Sequence, residues 1–265
     1  MDNRPIGIFD SGVGGLTVVK QMFKKLPNEE IVYLGDTARV PYGTKSPETI
    51  KKYSVENADF LMKFKVKLIV VACNTASSTS LDALREKFSV PIVGVIKPGA
   101  EKAVQITRNN KVGIIGTYTT IKSKAYEKEI RHFSPDVEAV SKACPLFVPL
   151  VEEGWLKEKI TFDIVKKYLK PLMAKKIDTL ILGCTHYPLL KPVISKVIGR
   201  HVKIVDSASS VSDEVHNILM ALGGLSENKK PNHKFFATDA VEHFVRVGEK
   251  FLGAKIHNAK RANYV

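Results

Sequence analysis

The stretches "VVACNTASS" (residues 70–78) and "TLILGCTHYPLL" (residues 179–190) follow one plan. Each runs from a short apolar strand through a cysteine into small polar residues and then a helix-like segment. Cys73 and Cys184 therefore fall where a strand ends and a helix begins. In an open α/β sheet, ligands bind in the crevice outside the carboxyl ends of the strands. A thiol at a helix N-terminus also has its thiolate favoured by unpaired N–H groups and the helix dipole. A lone cysteine reads as a small buried hydrophobe; two in matched settings point to chemistry.

Working outward, strand-like and helix-like runs alternate almost throughout. "PIGIF", "EIVYLG", "KLIVVA" and "PIVGV" are followed by a restart at "KVGIIG", "VEAV", "DTLILG" and "VKIVD". Helices are expected at 16–25, 46–63, 76–88, 122–133, 162–175, 189–198, 209–222 and 240–251. Alternation of this kind predicts parallel sheets with helices on both faces, and near-continuous apolar strands fit sheets buried on both sides. The restart predicts two pseudo-symmetric three-layer α/β units with mainly parallel sheets and a cleft between them. The expected division is 1–97 plus 208–265 for the first unit and 98–207 for the second, with the tail returning through "FFATD" to the first sheet.

Composition narrows the class. The 265 residues are 44% hydrophobic and 26% charged, as in ordinary globular proteins. No run approaches the roughly 20 apolar residues of a membrane span. The N-terminal "MDNRPIGIFD" lacks the layout of a signal peptide, and three scattered cysteines make no disulfide framework, so the cytosol is the expected compartment. The net charge of +14 comes from basic pairs spread over helix faces without interleaved aromatics, which argues against nucleic acid and leaves a mild attraction for small anions.

Other residues gather near the strand ends. His186 lies two positions after Cys184, where it could tune or relay the thiol proton; metal-ligand spacing is absent, so no metal is expected. "DSGVGG" (residues 10–15) opens a helix after the first strand but breaks the dinucleotide fingerprint at its last glycine, so no cofactor is expected. Asp10 can hold an ammonium, exchange a proton with a neighbour or cap the helix. Tyr42-Gly43 forms a turn after a strand, a usual place for ligand contacts. Glu152, in "VEEGW", reads equally as a solvated loop residue or a functional one. Cys144 lacks a strand-end setting and reads as packing.

Taken together, "IGIFDSGVGGLTV", "YLGDTARVPYG", "VVACNTAS", "GTYTTIKS", "CPLFVPLVEEG", "LILGCTHYPLL" and "FFATD" closely resemble the glutamate racemases of bacterial cell-wall synthesis, nearly end to end. The resemblance implies cofactor-independent interconversion of L- and D-glutamate. It makes Cys73 and Cys184 the acid/base pair, with Cys73 acting toward D-glutamate and Cys184 toward L-glutamate. Asp10 would assist Cys73, while Glu152 and His186 would assist Cys184. Asp10, Ser11, Tyr42, Gly43, Asn74, Thr75, Thr185 and His186 would contact the substrate. The expected partners are glutamate and, as one option, a second copy of the chain, with neither nucleic acid nor membrane. A related aspartate or hydantoin racemase is the alternative enzyme, and a two-lobed amino-acid binding protein the alternative of another class.

Overall fold

In the computed structural model, which describes residues 1–264, strands and helices alternate through two sheets. The first stretch of chain holds β1 (Ile6–Asp10), α1 (Leu16–Lys25), β2 (Ile31–Gly35), α2 (Pro47–Met62), β3 (Leu68–Val71), α3 (Asn74–Ser77), α4 (Leu81–Lys87), β4 (Ile92–Gly94) and α5 (Ile96–Ile106). The second holds β5 (Lys111–Gly116), α6 (Tyr118–Ser123), α7 (Ala125–Phe133), β6 (Glu138–Ala143), α8 (Phe147–Glu152) and α9 (Lys159–Ala174). It continues with β7 (Thr179–Gly183), α10 (Lys191–Ile198), β8 (Lys203–Asp206) and α11 (Ser207–Ala221). The chain ends with β9 (Lys234–Ala237), α12 (Val241–Leu252) and β10 (Lys260–Arg261).

The sheets have the orders β10-β9-β2-β1-β3-β4 and β6-β5-β7-β8, and all of these neighbours pair in parallel. The run β2-β1-β3-β4 repeats as β6-β5-β7-β8, so β3 and β7 occupy equivalent places, each followed by a cysteine. The inner strands β1, β2, β3 and β7 are buried on both faces. On β1, Ile6 and Ile8 join one apolar cluster while Phe9 joins another, and Leu68 and Ile69 divide likewise on β3. The first of these clusters also takes in Leu180 and Leu182 of β7, so one core runs through both halves. This shared core fixes the two sheets relative to each other.

Two expected helices are broken in ways the apolar period does not reveal. The segment 76–88 divides after Ser77, where Ser78 and Thr79 donate their hydroxyls back to the Thr75 carbonyl, competing with the helix ladder. The segment 122–133 divides at Lys124, whose φ of 55° is left-handed, and its first part begins earlier, at Tyr118. Helix α5 was concealed by Pro98 and Gly99, breakers that fall in its first turn, where proline is tolerated. Glu152 is not in a loop: it is the last residue of α8.

Candidate active site

Both sheets reverse their strand order beside the first strand of their unit, between β1 and β3 and again between β5 and β7. The crevice beyond such a switch point is where α/β sheets bind ligands. Here the two crevices face each other across a single cavity of about 320 Å³. Ser11, Cys73, Asn74 and Thr75 line it from the first sheet, and Thr117, Cys184, Thr185 and His186 from the second. Tyr42, Gly43 and Glu152 complete the set of expected residues that reach it. Asp10 does not line the cavity. It is fully buried behind it, accepting from the Gly12 N–H at 2.9 Å and from the Thr185 hydroxyl at 3.3 Å.

The close approach of the two sheets explains the glycine-rich turn. A Cβ on Gly14 would sit 2.3 Å from Thr185 Oγ1 and 2.5 Å from His186 Nδ1. The second Cys-bearing loop can therefore nest against the turn only because residue 14 has no side chain. Thr17 secures the same seam, donating to the carbonyls of Gly14 at 2.8 Å and Thr185 at 3.2 Å. Gly14 of "DSGVGG" thus serves packing between the two halves, while a Cβ on Gly15 would meet Asp10 and Tyr33 within the first half.

The two thiols sit in different electrostatic settings. Cys73 is 5% exposed, its sulfur 3.7 Å from the Ser11 hydroxyl. Burial, reinforced by the Asp10 carboxylate, pushes it up to about 12, against the Ala76 N–H that pulls it down. The thiolate preference expected at a helix N-terminus is outweighed here: α3 has only four residues, and the neighbouring negative charge opposes a second. Cys73 is a neutral thiol at pH 7, hence an acid. Burial also raises Asp10, against the attraction of His186 and the N–H groups it accepts from.

On the opposite side, His186 Nδ1 lies 4.0 Å from the Cys184 sulfur, and its Nε2 donates to Glu152 Oε1 at 2.9 Å. Burial alone would lower the imidazole, but its bonds to Cys184 and Glu152 outweigh that and raise it to about 10. Glu152 in turn is held below the usual carboxylate range: burial would raise it, and the His186 bond overcomes that. At neutral pH Cys184 therefore faces an imidazolium, a counter-ion for a negative sulfur. One cysteine is poised to donate a proton and the other has a partner suited to holding its charge after it has given one up.

The turn before α2 is rigidly held. Tyr42 is 1% exposed, and its phenol donates to Asp36 and accepts from Asn57 Nδ2 at 3.1 Å. Arg39 pairs with both oxygens of Asp36 and reaches Asn57 at 3.0 Å. With its hydroxyl so engaged, Tyr42 offers the cavity backbone rather than phenol. Tyr42–Thr44 forms a 3₁₀ turn with no side-chain cap, and the first N–H groups of such a turn lack internal partners. Thr119 bridges to it from the second unit, donating to the Gly43 carbonyl at 3.0 Å. Gly43 packs on Thr117, whose Cβ would be 2.7 Å from a Cβ at position 43.

Thr117 is one of the lining residues that the motifs did not single out. Its signal was present: it follows β5 as Ser11 follows β1, and it caps α6 by accepting from the Thr120 N–H at 3.3 Å. Its hydroxyl meets that of Thr75 at 2.9 Å, joining the two units across the cavity floor.

Comparison with known proteins agrees with this architecture. Residues 6–213 match the family model described as Asp/Glu/Hydantoin racemase. Glutamate racemase from Geobacter metallireducens is 53% identical over 255 residues, covering 96% of this chain and 94% of that protein. The crystal structure of a glutamate racemase isoform from Bacillus anthracis superposes with a TM-score of 0.96 at 42% identity, over 99% of this chain and 98% of the other. Glutamate racemase from Francisella tularensis, solved in complex with D-glutamate, gives 0.93 at 41% identity over the same shares. With its repeated strand order, paired strand-end cysteines and relatives of this kind, the chain belongs to the Asp/Glu/Hydantoin racemase family and is an amino-acid racemase.

Proposed function

We propose that the protein interconverts L- and D-glutamate by proton transfer between two cysteines, and that its product D-glutamate is used in peptidoglycan synthesis. The observation that carries the mechanism is the pair of buried thiols, Cys73 and Cys184, at equivalent strand ends on opposite sides of one cavity. Inverting a stereocentre needs a base on one face of a planar intermediate and an acid on the other. A single base returns its proton to the face it came from.

In this reading Cys184 takes the α-proton of L-glutamate and Cys73 delivers one to the other face; for D-glutamate the roles exchange. His186, held by Glu152, supplies the charge that accompanies a negative Cys184. Asp10 acts from behind the wall, keeping Cys73 protonated until substrate arrives and holding Thr185 in place. Thiolates are weak bases for an amino-acid α-proton, so the α-carboxylate must be stabilised as it gains enolate character. Asn74, Thr75 and Thr185 are the donors assigned to it. The N–H groups of Tyr42 and Gly43, with the hydroxyls of Ser11 and Thr117, are assigned to the remaining polar groups of glutamate. The units flanking this cleft are taken as 1–97 plus 208–265 and 98–207, supported by which strands share a sheet.

The test is incubation of either enantiomer in deuterated water. Racemisation with deuterium entering Cα supports the reading. Binding of glutamate with Cα–H untouched would favour a two-lobed binding protein, and faster turnover of aspartate would favour a related racemase.

A further inference from the structure

Asn74 stands out among the cavity residues because half of its side chain is unpaired. It is 2% exposed, and its Nδ2 is one of two buried side-chain polar atoms without a hydrogen-bond partner among the described residues. Leaving such a donor unmade is costly unless something outside the protein satisfies it. Its other end is held: Asn74 Oδ1 accepts from the phenol of Tyr126 at 2.7 Å. An amide presents either a donor or an acceptor to a ligand depending on which way it is turned. The partner on Oδ1 therefore decides what the cavity sees.

Tyr126 is built to hold that orientation. It is 1% exposed and belongs to α7, in the second half of the chain, whereas Asn74 opens α3 in the first. Its ring lies between two glycines, in contact with the places where a Cβ would stand at Gly99 (3.3 Å) and at Gly183 (3.1 Å), the residue before Cys184. Among the described residues the phenol oxygen makes one hydrogen bond, the one to Asn74 Oδ1, so its single proton is committed there. We propose that Tyr126 is a positioning residue: by donating to Asn74 Oδ1 it turns the Asn74 amide N–H₂ into the cavity, toward the substrate's α-carboxylate. It does so from across the cleft, so the donor is aimed only when the two units are docked as they are here. This rests on the assignment of Asn74 to the α-carboxylate made above.

The experiment compares Tyr126→Phe, Asn74→Ala and the double variant with the wild-type enzyme, using both glutamate enantiomers. Tyr126→Phe keeps the ring that fills the space between the glycines. It is expected to lower kcat/KM about 10-fold, and Asn74→Ala about 100-fold, within the span for hydrogen bonds to charged groups. The loss should fall more on kcat than on KM, because the carboxylate gains charge as the α-proton leaves. The double variant should be no slower than Asn74→Ala alone, an outcome that general loosening of the fold would not produce. If Tyr126→Phe stays within twofold of wild type, or its factor multiplies on that of Asn74→Ala, Tyr126 does not act through Asn74. A silent Tyr126→Phe beside a damaging Asn74→Ala overturns only the positioning role. A silent Asn74→Ala overturns that role and the carboxylate assignment together. The wild-type protein gives an independent readout: the Asn74 side-chain amide resonance, assigned by its loss in Asn74→Ala, should shift on adding D-glutamate. An unmoved resonance refutes the proposed orientation.

Discussion

Replacing Glu152 with Gln tests whether His186 acts as a cation. The substitution keeps the size of the side chain and an acceptor for His186 Nε2, 2.9 Å away, but removes the charge. At an effective dielectric constant of 20, unit charges 4 Å apart interact by about 4 kcal/mol. The Glu152 side chain is 36% exposed, so solvent screens it and about 1–2 kcal/mol is the working figure. That lowers the pH at which His186 loses its proton by about one unit, since 1.36 kcal/mol corresponds to one. His186 is raised to about 10, so the imidazolium is present through neutral pH and is lost as pH rises toward 10. The variant should lose it about one unit earlier. Its kcat/KM should be within twofold of wild type near pH 7 and fall to about a tenth on the alkaline side. Circular dichroism of glutamate solutions follows the reaction across this range. The substrate ammonium titrates identically with both proteins and cancels in the ratio. Superimposable pH profiles, with the fold intact, would refute the imidazolium as the partner of Cys184.

Other perturbations follow from packing. Gly14→Ala drives a methyl group into Thr185 and His186, and His186 is pinned by Glu152; overpacking of this kind costs about 1–3 kcal/mol. Thermal melting should drop by about 2–10 °C, and displacement of His186 by even 1 Å should slow turnover about 100-fold. A Gly14→Ala enzyme of wild-type rate and stability would contradict the seam. Tyr42→Phe removes the phenol shared by Asp36 and Asn57 and loosens the 3₁₀ turn. KM for glutamate should rise about 5–10-fold with a smaller change in kcat, as expected for one lost buried hydrogen bond. An unchanged KM would show that the turn holds its place without Asp36.

Local pattern carried much of the fold because the inner strands β1, β2, β3 and β7 are buried along their length, and Cys73 and Cys184 each close an apolar run. Leu16–Lys25 was legible to the residue, since its apolar stripe is uninterrupted and Pro27 takes Leu26 out of the helical region. Residues whose neighbours lie far away in sequence were less legible. Glu152 and His186 are separated by 34 positions, and nothing around "VEEGW" announces that α8 ends facing an imidazole. Gly14 read as part of a failed nucleotide motif because its reason, the Thr185-His186 loop, lies some 170 positions away. Tyr126 carried no motif at all: only the docking of α7 against α3 brings its phenol to Asn74. Burial was also invisible in sequence. A helix start after Cys73 suggested a stabilised thiolate, whereas its buried place beside Asp10 makes it a thiol.

The assignment of the two cysteines to opposite faces is tested most directly by separating proton removal from proton return. Because enantiomers have equal free energy, kcat/KM must be the same in both directions, and net racemisation cannot show which thiol serves which enantiomer. A glutamate bearing a leaving group at Cβ can: elimination follows deprotonation and needs no proton delivered to the other face. Cys73→Ala and Cys184→Ala should each lose racemisation by about 10³-fold or more, in the upper range for general acid–base groups. Cys144→Ala, fully buried outside the cavity, should stay near wild type. With the eliminating substrates, Cys73→Ala should still react with the L-enantiomer and Cys184→Ala with the D-enantiomer. If both folded variants lose both eliminations equally, the thiols do not work opposite faces of the substrate.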